Sequence, residues 1–191
     1  MLSTSKNANI NYLAKLVKLT HLRPHVNADN LQCAMIDGNN VTVSIHQKVG
    51  DVGIFFPLES KIDASFLKVR SLYREKSQNF DQTKAGFFEL NGRVRAVKLR
   101  SEQSEGFWVP LADFQSWVTF KQSDLIPQTG KEFDTFGDKL LLCKYIPVHT
   151  KPVDGTKKQK FDKAKKVKQK DLLGLLPTVM LLLLKSCTGL R

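Results

Sequence analysis

The chain has 191 residues, 41% of them hydrophobic, and a formal net charge of +12. That length holds one domain of ordinary size with appendages, and that apolar content excludes a wholly disordered chain. The charge points to an anionic partner and says nothing about fold. Three cysteines, Cys33, Cys143 and Cys187, are widely spaced and odd in number. They form neither a disulfide framework nor a zinc-ligand spacing, so no metal is expected and a reducing, cytoplasmic setting fits.

Residues 1–11 are polar, read as a flexible N-terminus, and contain no signal-peptide apolar core. Leu16, Val17, Leu19 and Leu22 predict a strand halted by Arg23-Pro24. His25–Asp29 reads as a loop. Its Asn27 and Asp29 suit backbone capping of a turn better than a metal or catalytic cluster with His25. Leu31–Ile36 and Val41–Ile45 read as strands joined across Asp37-Gly38-Asn39-Asn40. Val52–Phe56 is an apolar strand ending at Pro57. Phe66 to Tyr73 predict a short helix, followed by a polar loop.

Gly86–Leu90 leads to the turn Asn91-Gly92 and then a strand-like run with four cations, Arg93, Arg95, Lys98 and Arg100. A polar turn and a second apolar run, Phe107-Trp108-Val109, follow. Leu111–Trp117 reads as a helical turn. Glu132–Phe136 and Lys139–Tyr145 flank Gly137-Asp138 as a last hairpin. Short strands separated by frequent turns, with no long helix, indicate an all-β barrel or sandwich.

After Pro147 the composition changes. Residues 148–171 read as a Lys-rich linker, disordered or helical; the stretch 151–170 holds nine lysines against Asp154 and Asp162. Residues 172–191 form a Leu-rich segment. Its run Leu172–Leu184 falls short of the roughly 20 apolar residues of a membrane span and contains Pro177, so no stable membrane insertion is expected. A peripheral membrane or protein-interaction role through this tail is the alternative of another class.

Cations along a strand beside aromatics suit a surface that holds phosphates and stacks bases. Strict alternation puts Arg93 and Arg95 on one face and Lys98 and Arg100 on the other, unless a bulge brings them together. Charges that block edge pairing explain the same pattern, and the residues alone divide the two readings evenly. Phe107 and Trp108 are adjacent, so only one faces inward; Phe55-Phe56 and Phe87-Phe88 pose the same choice. No catalytic residue emerges: Ser104-Glu105-Gly106 is not a nucleophile elbow, and no Gly-rich phosphate loop occurs.

Three pieces carry a family resemblance. They are His21–Leu31, Gly50–Glu59, and Asn91–Arg100 with Ser104–Pro110. Together they resemble the N-terminal OB-fold domain of bacterial and phage ATP-dependent RNA ligases. The first and third pieces are also similar to tRNA-binding OB domains appended to aminoacyl-tRNA synthetases. The resemblance implies a five-stranded OB-type barrel over residues 12–147, with a helical or loop insertion at 62–85. It implies RNA or nicked-duplex binding through Arg93, Arg95, Lys98 and Arg100, with Phe107 and Trp108, in a host cytoplasm if the chain is phage-encoded. A free-standing tRNA-binding module is the alternative.

Such ligases place a lysine nucleophile in a Lys-x-(Asp/Asn/His)-Gly motif on a following domain that uses ATP and Mg. Here Asp154-Gly155 is preceded by Pro152-Val153, with Lys151 one residue out of register. The chain alone is therefore expected to be inactive, and ATP and Mg belong to a full-length ligase. The tail reads as a truncated or frame-shifted end, with any catalytic domain supplied by a longer form.

Overall fold

A computed structural model of the chain describes residues 1–147. The Lys-rich linker, the Leu-rich segment and the near-motif around Asp154 lie outside the described residues. The strands of the first half are β1 (Leu2–Ser3), β2 (Ala14–Lys18), β3 (Leu22–Pro24), β4 (Leu31–Ile36), β5 (Asn39–Ser44), β6 (Val52–Phe56) and β7 (Ser60–Ile62). Helix α1 (Ala64–Val69) follows. The second half holds β8 (Val97–Leu99), β9 (Glu102–Ser104), β10 (Phe107–Pro110), a 3-10 segment Leu111–Ser116, and α2 (Gln122–Leu125). It ends with β11 (Glu132–Phe133), β12 (Thr135–Phe136), β13 (Lys139–Leu140) and β14 (Leu142–Lys144).

The central sheet is antiparallel, in the order β10-β6-β2-β11. Both of its faces are covered. Leu16, Ile54, Phe56 and Val109 join one cluster with Phe66, Phe114, Phe133 and Phe136. Val17, Phe55 and Trp108 join a second with Leu19, Ile36, Val41 and Val43. Double-sided burial explains why Val52–Phe56 is continuously apolar rather than alternating. It also settles the Phe55-Phe56 pair: both rings are buried, one on each side of the sheet, and neither offers a stacking face. Gly53 is required inside β6, because a Cβ there would come 2.4 Å from the Trp108 indole and the Val109 carbonyl.

The second sheet, β3-β4-β5, packs its Ala34, Ile36, Val41 and Val43 face on the smaller cluster. Its hairpin turns on Asp37-Gly38, whose φ angles of 49° and 81° match a two-residue type I′ turn; Asn39 and Asn40 start β5. Pro24 does not end regular structure. It sits in the edge strand β3 opposite Gln32, where the missing N–H costs no ladder bond. In α1, the Asp63 carboxylate accepts the backbone N–H of Ser65 and Phe66, and Phe66 stacks on Phe114 at 4.4 Å. The helix stops before Ser71, whose φ of 56° is left-handed, so it is shorter than the sequence implied.

The class is all-β, as expected, but the hydrogen-bonded sheets do not close into a five-stranded barrel. Besides the two sheets above there are β1-β12-β13, β14-β7 and β8-β9. Two breaks account for this. The chain turns at Leu19–His21, so β2 pairs with β6 while β3 pairs with β4. Asp134 interrupts the last strands by accepting the N–H of both Leu141 and Leu142 on its carbonyl. The cationic run is not one strand either: Arg93 bridges Lys61 and Val94 hydrogen-bonds with Glu59 and Ser60, while Val97–Leu99 pairs separately with β9 across the turn Arg100-Ser101 at φ 41° and 82°. Near the N-terminus, Leu2 is fully buried and β1 pairs with β12, an arrangement hidden by the polarity of residues 1–11. Among the described residues no helix is long and apolar enough to cross a membrane.

Candidate nucleic-acid interface

β10 is an end strand of the central sheet, so no strand of that sheet pairs with its outer edge. Beside it runs a groove of about 590 Å³ lined by Phe107, Trp108, Val109 and Pro110. Leu31, Thr42 and Ser44 of the second sheet contribute to its lining, as do Phe87, Phe88 and Val94. Such a volume with mostly apolar walls and a few polar groups is the usual form of a ligand site.

The groove gathers four of the six residues singled out from the sequence: Arg93, Arg95, Phe107 and Trp108. Lys98 and Arg100 are not among its lining residues. Alternation holds only within the paired segment Val97–Leu99, where Val97 and Leu99 line the groove and Lys98 does not. Arg93, Val94 and Arg95 all line it, so parity does not extend over the whole cationic run.

The groove-side guanidinium groups are already partnered. Arg93 donates to Glu59 at 2.7 Å and lies 4.9 Å over the Tyr145 ring; the hydrogen bond to Glu59 raises its pKa further. Arg95 pairs with Glu89 at 2.7 Å and Arg70 with Asp113 at 2.6 Å. Partly exposed pairs of this kind are weak in water. Lys98 is exposed, with no ion pair among the described residues, and Arg100 donates to the Asn27 carbonyl at 2.9 Å.

The aromatic pairs divide unevenly. Trp108 is 5% exposed and packs within the smaller cluster, so it has no free stacking face. Phe107 is half-buried, edge-on to Phe87 and to Phe88, each at 5.1 Å. Phe87 is 47% exposed and Phe88 only 3%. Phe87 is the accessible ring of its adjacent pair; the pair is visible in the sequence, but which member faces out depends on packing.

His25 is structural. Its Nδ1 accepts the Asn27 N–H at 3.2 Å, so Nε2 carries the proton and donates to the Leu99 carbonyl at 3.1 Å. Asn27 donates to the Arg100 carbonyl and Ser101 Oγ, clasping the β8-β9 turn. A bidentate Arg23–Glu102 pair at 2.7–2.8 Å ties the same hairpin to β3, holding the Glu102 carboxyl below its ordinary range. Among the described residues no three His, Cys, Asp or Glu side chains form a metal-holding group.

A family model described as an OB-fold domain matches residues 13–111. The chain belongs to this OB-fold family. The OB-fold domain is similar in fold to solved structures of Naegleria gruberi RNA ligase. A lysine-to-methionine mutant with AMP and Mn shares 20% identity at a TM-score of 0.47, over 71% of this chain and 36% of that one. An arginine-to-alanine mutant with ATP and Mn gives 20% and 0.45, over 75% and 38%. The chain thus spans little more than a third of the length of these ligases. No curated protein matches the chain.

Proposed function

We propose that this OB-fold domain binds RNA, single-stranded or flanking a nick, along the groove beside β10. The observation that carries the reading is an open, apolar strand edge with Arg93, Arg95 and Arg70 beside an accessible Phe87. Phosphates displace Glu59 and Glu89 from Arg93 and Arg95, and a base stacks on Phe87. Lys98 and Arg100, which do not line the groove, add attraction that salt screens rather than groove contacts. The motif resemblance supports placing the domain in an RNA-ligase-like protein, with nucleotidyl transfer done by a separate catalytic domain.

Lys-x-(Asp/Asn/His)-Gly does not occur in residues 1–147. Binding of the full chain to single-stranded RNA, nicked duplex and tRNA across a salt series tests the reading. Replacing Arg93 and Arg95 together by Ala is expected to weaken binding and reduce the salt slope by up to about 2. If only the Lys98/Arg100 double replacement does so, the groove is not the interface. A marked preference for tRNA favours the free-standing module instead.

A further inference from the structure

Three buried side-chain polar atoms among the described residues have no hydrogen-bond partner: Thr42 Oγ1, Arg93 Nε and Trp108 Nε1. Buried polar groups are nearly always paired, so each exception calls for an explanation. All three residues line the same groove. They lie far apart in sequence, on β5, after the Asn91-Gly92 turn, and on β10, so local chain geometry does not explain their coincidence. Trp108 is more than nine-tenths buried, and its indole N–H is only a donor. Arg93 Nε is likewise only a donor, while the Thr42 hydroxyl serves either role.

A matching occupant must be flat and largely apolar, and must carry hydrogen-bond acceptors on its rim. A phosphate meets only the last requirement. A nucleobase meets all three, with its ring carbonyls or ring nitrogens as acceptors. We propose that the groove seats one unstacked base of the bound strand, satisfying Trp108 Nε1, Thr42 Oγ1 and Arg93 Nε. Side-chain rotation on binding, common at interfaces, gives the base access to them. This inference rests on the RNA-binding reading above and adds that bases, not the backbone alone, carry affinity. It leaves the exposed ring of Phe87 for a neighbouring base.

The test uses the full chain, fluorescence anisotropy, and RNA oligomers of about twelve nucleotides, within the span of one OB fold. Abasic ribose-phosphate oligomers of the same length and charge are compared at the same salt. The abasic strand is expected to bind about ten- to a hundredfold more weakly, the range that engaging a base provides. Thr42→Val removes the hydroxyl with little change of volume. It is expected to leave the free protein as stable or more so, because an unsatisfied hydroxyl is gone, yet to weaken RNA binding severalfold. Trp108→Phe, which removes the N–H, should act the same way on binding. Neither variant should change binding of the abasic strand. Equal affinity for RNA and abasic strands, or RNA affinity unchanged in both variants, overturns the base site and leaves backbone binding standing. Binding of neither polymer overturns the RNA-binding reading, and the base site with it. Binding of AMP or UMP that depends on Thr42, without binding of RNA, assigns the groove to free nucleotides and overturns the strand as its source.

Discussion

The two edges of the central sheet are treated in opposite ways. The β11 edge is two residues long and sealed. Phe133 is fully buried there, and Asp134 beside it accepts hydrogen bonds from the Ser5 N–H at 2.8 Å, the Ser5 hydroxyl and Thr135 Oγ1 at 2.9 Å. The N-terminal strand β1 packs over this end. The β10 edge is four residues long, apolar, and faces the groove. Open apolar edges invite unwanted pairing and are normally blocked. Here Arg93–Glu59 and Arg95–Glu89 stand beside the open edge, and charged neighbours discourage another strand.

The largest test of this contrast is Phe133→Ala at the sealed edge. It is expected to cost about 3–5 kcal/mol in urea denaturation, as large aromatic truncations in a core do. The fraction that remains folded should still bind RNA. A loss below about 1 kcal/mol would mean the edge is not sealed by packing.

Gly53→Ala comes next, because the added methyl must displace Trp108 or the β10 backbone. A loss of about 1–3 kcal/mol is expected, together with a shift in tryptophan emission. Unlike Phe133→Ala, this change should also reduce RNA affinity, since it deforms the open edge.

Asp134→Asn removes the charged acceptor at the sealed edge, and a cost of about 1–3 kcal/mol is expected. Burial pushes the Asp134 carboxyl up, but hydrogen bonds from Ser5 and Thr135 outweigh it and hold the pKa below the ordinary value. The folded state therefore binds this proton less readily than the unfolded chain. The carboxylate's contribution is fully present above about pH 4 and is lost as pH falls through the depressed folded value. Acid titration of the Asn variant should show a shallower fall of stability; an unchanged profile would remove Asp134 from the seal.

The smallest effect on stability belongs to Glu89→Gln, within about 0.5 kcal/mol, because its pair with Arg95 is half-exposed. RNA affinity at low salt should rise a few-fold as Arg95 is freed for phosphate. A fall in affinity would show that the pair positions Arg95 rather than competing for it.

Turn chemistry and residue character, which act within a few positions, made much of the fold legible. Asp37-Gly38 announced its hairpin, Val52–Phe56 its buried strand, and Phe66 its helix. Strand parity applied only to Val97–Leu99, because residues 93–96 do not continue that strand. Leu2 was concealed because one apolar residue in a polar stretch carries no periodic signal. Barrel closure failed as an expectation because it depends on where Leu19–His21 turns and where Asp134 spends its hydrogen bonds.

The amino-acid sequence by itself determined an all-β chain and its main hairpin, since each follows from neighbouring residues. Tertiary structure alone decided which sheet edge stays open, that Phe87 rather than Trp108 presents a ring, and that Arg93 meets Glu59. Those outcomes depend on contacts between residues far apart along the chain, and no local pattern records them.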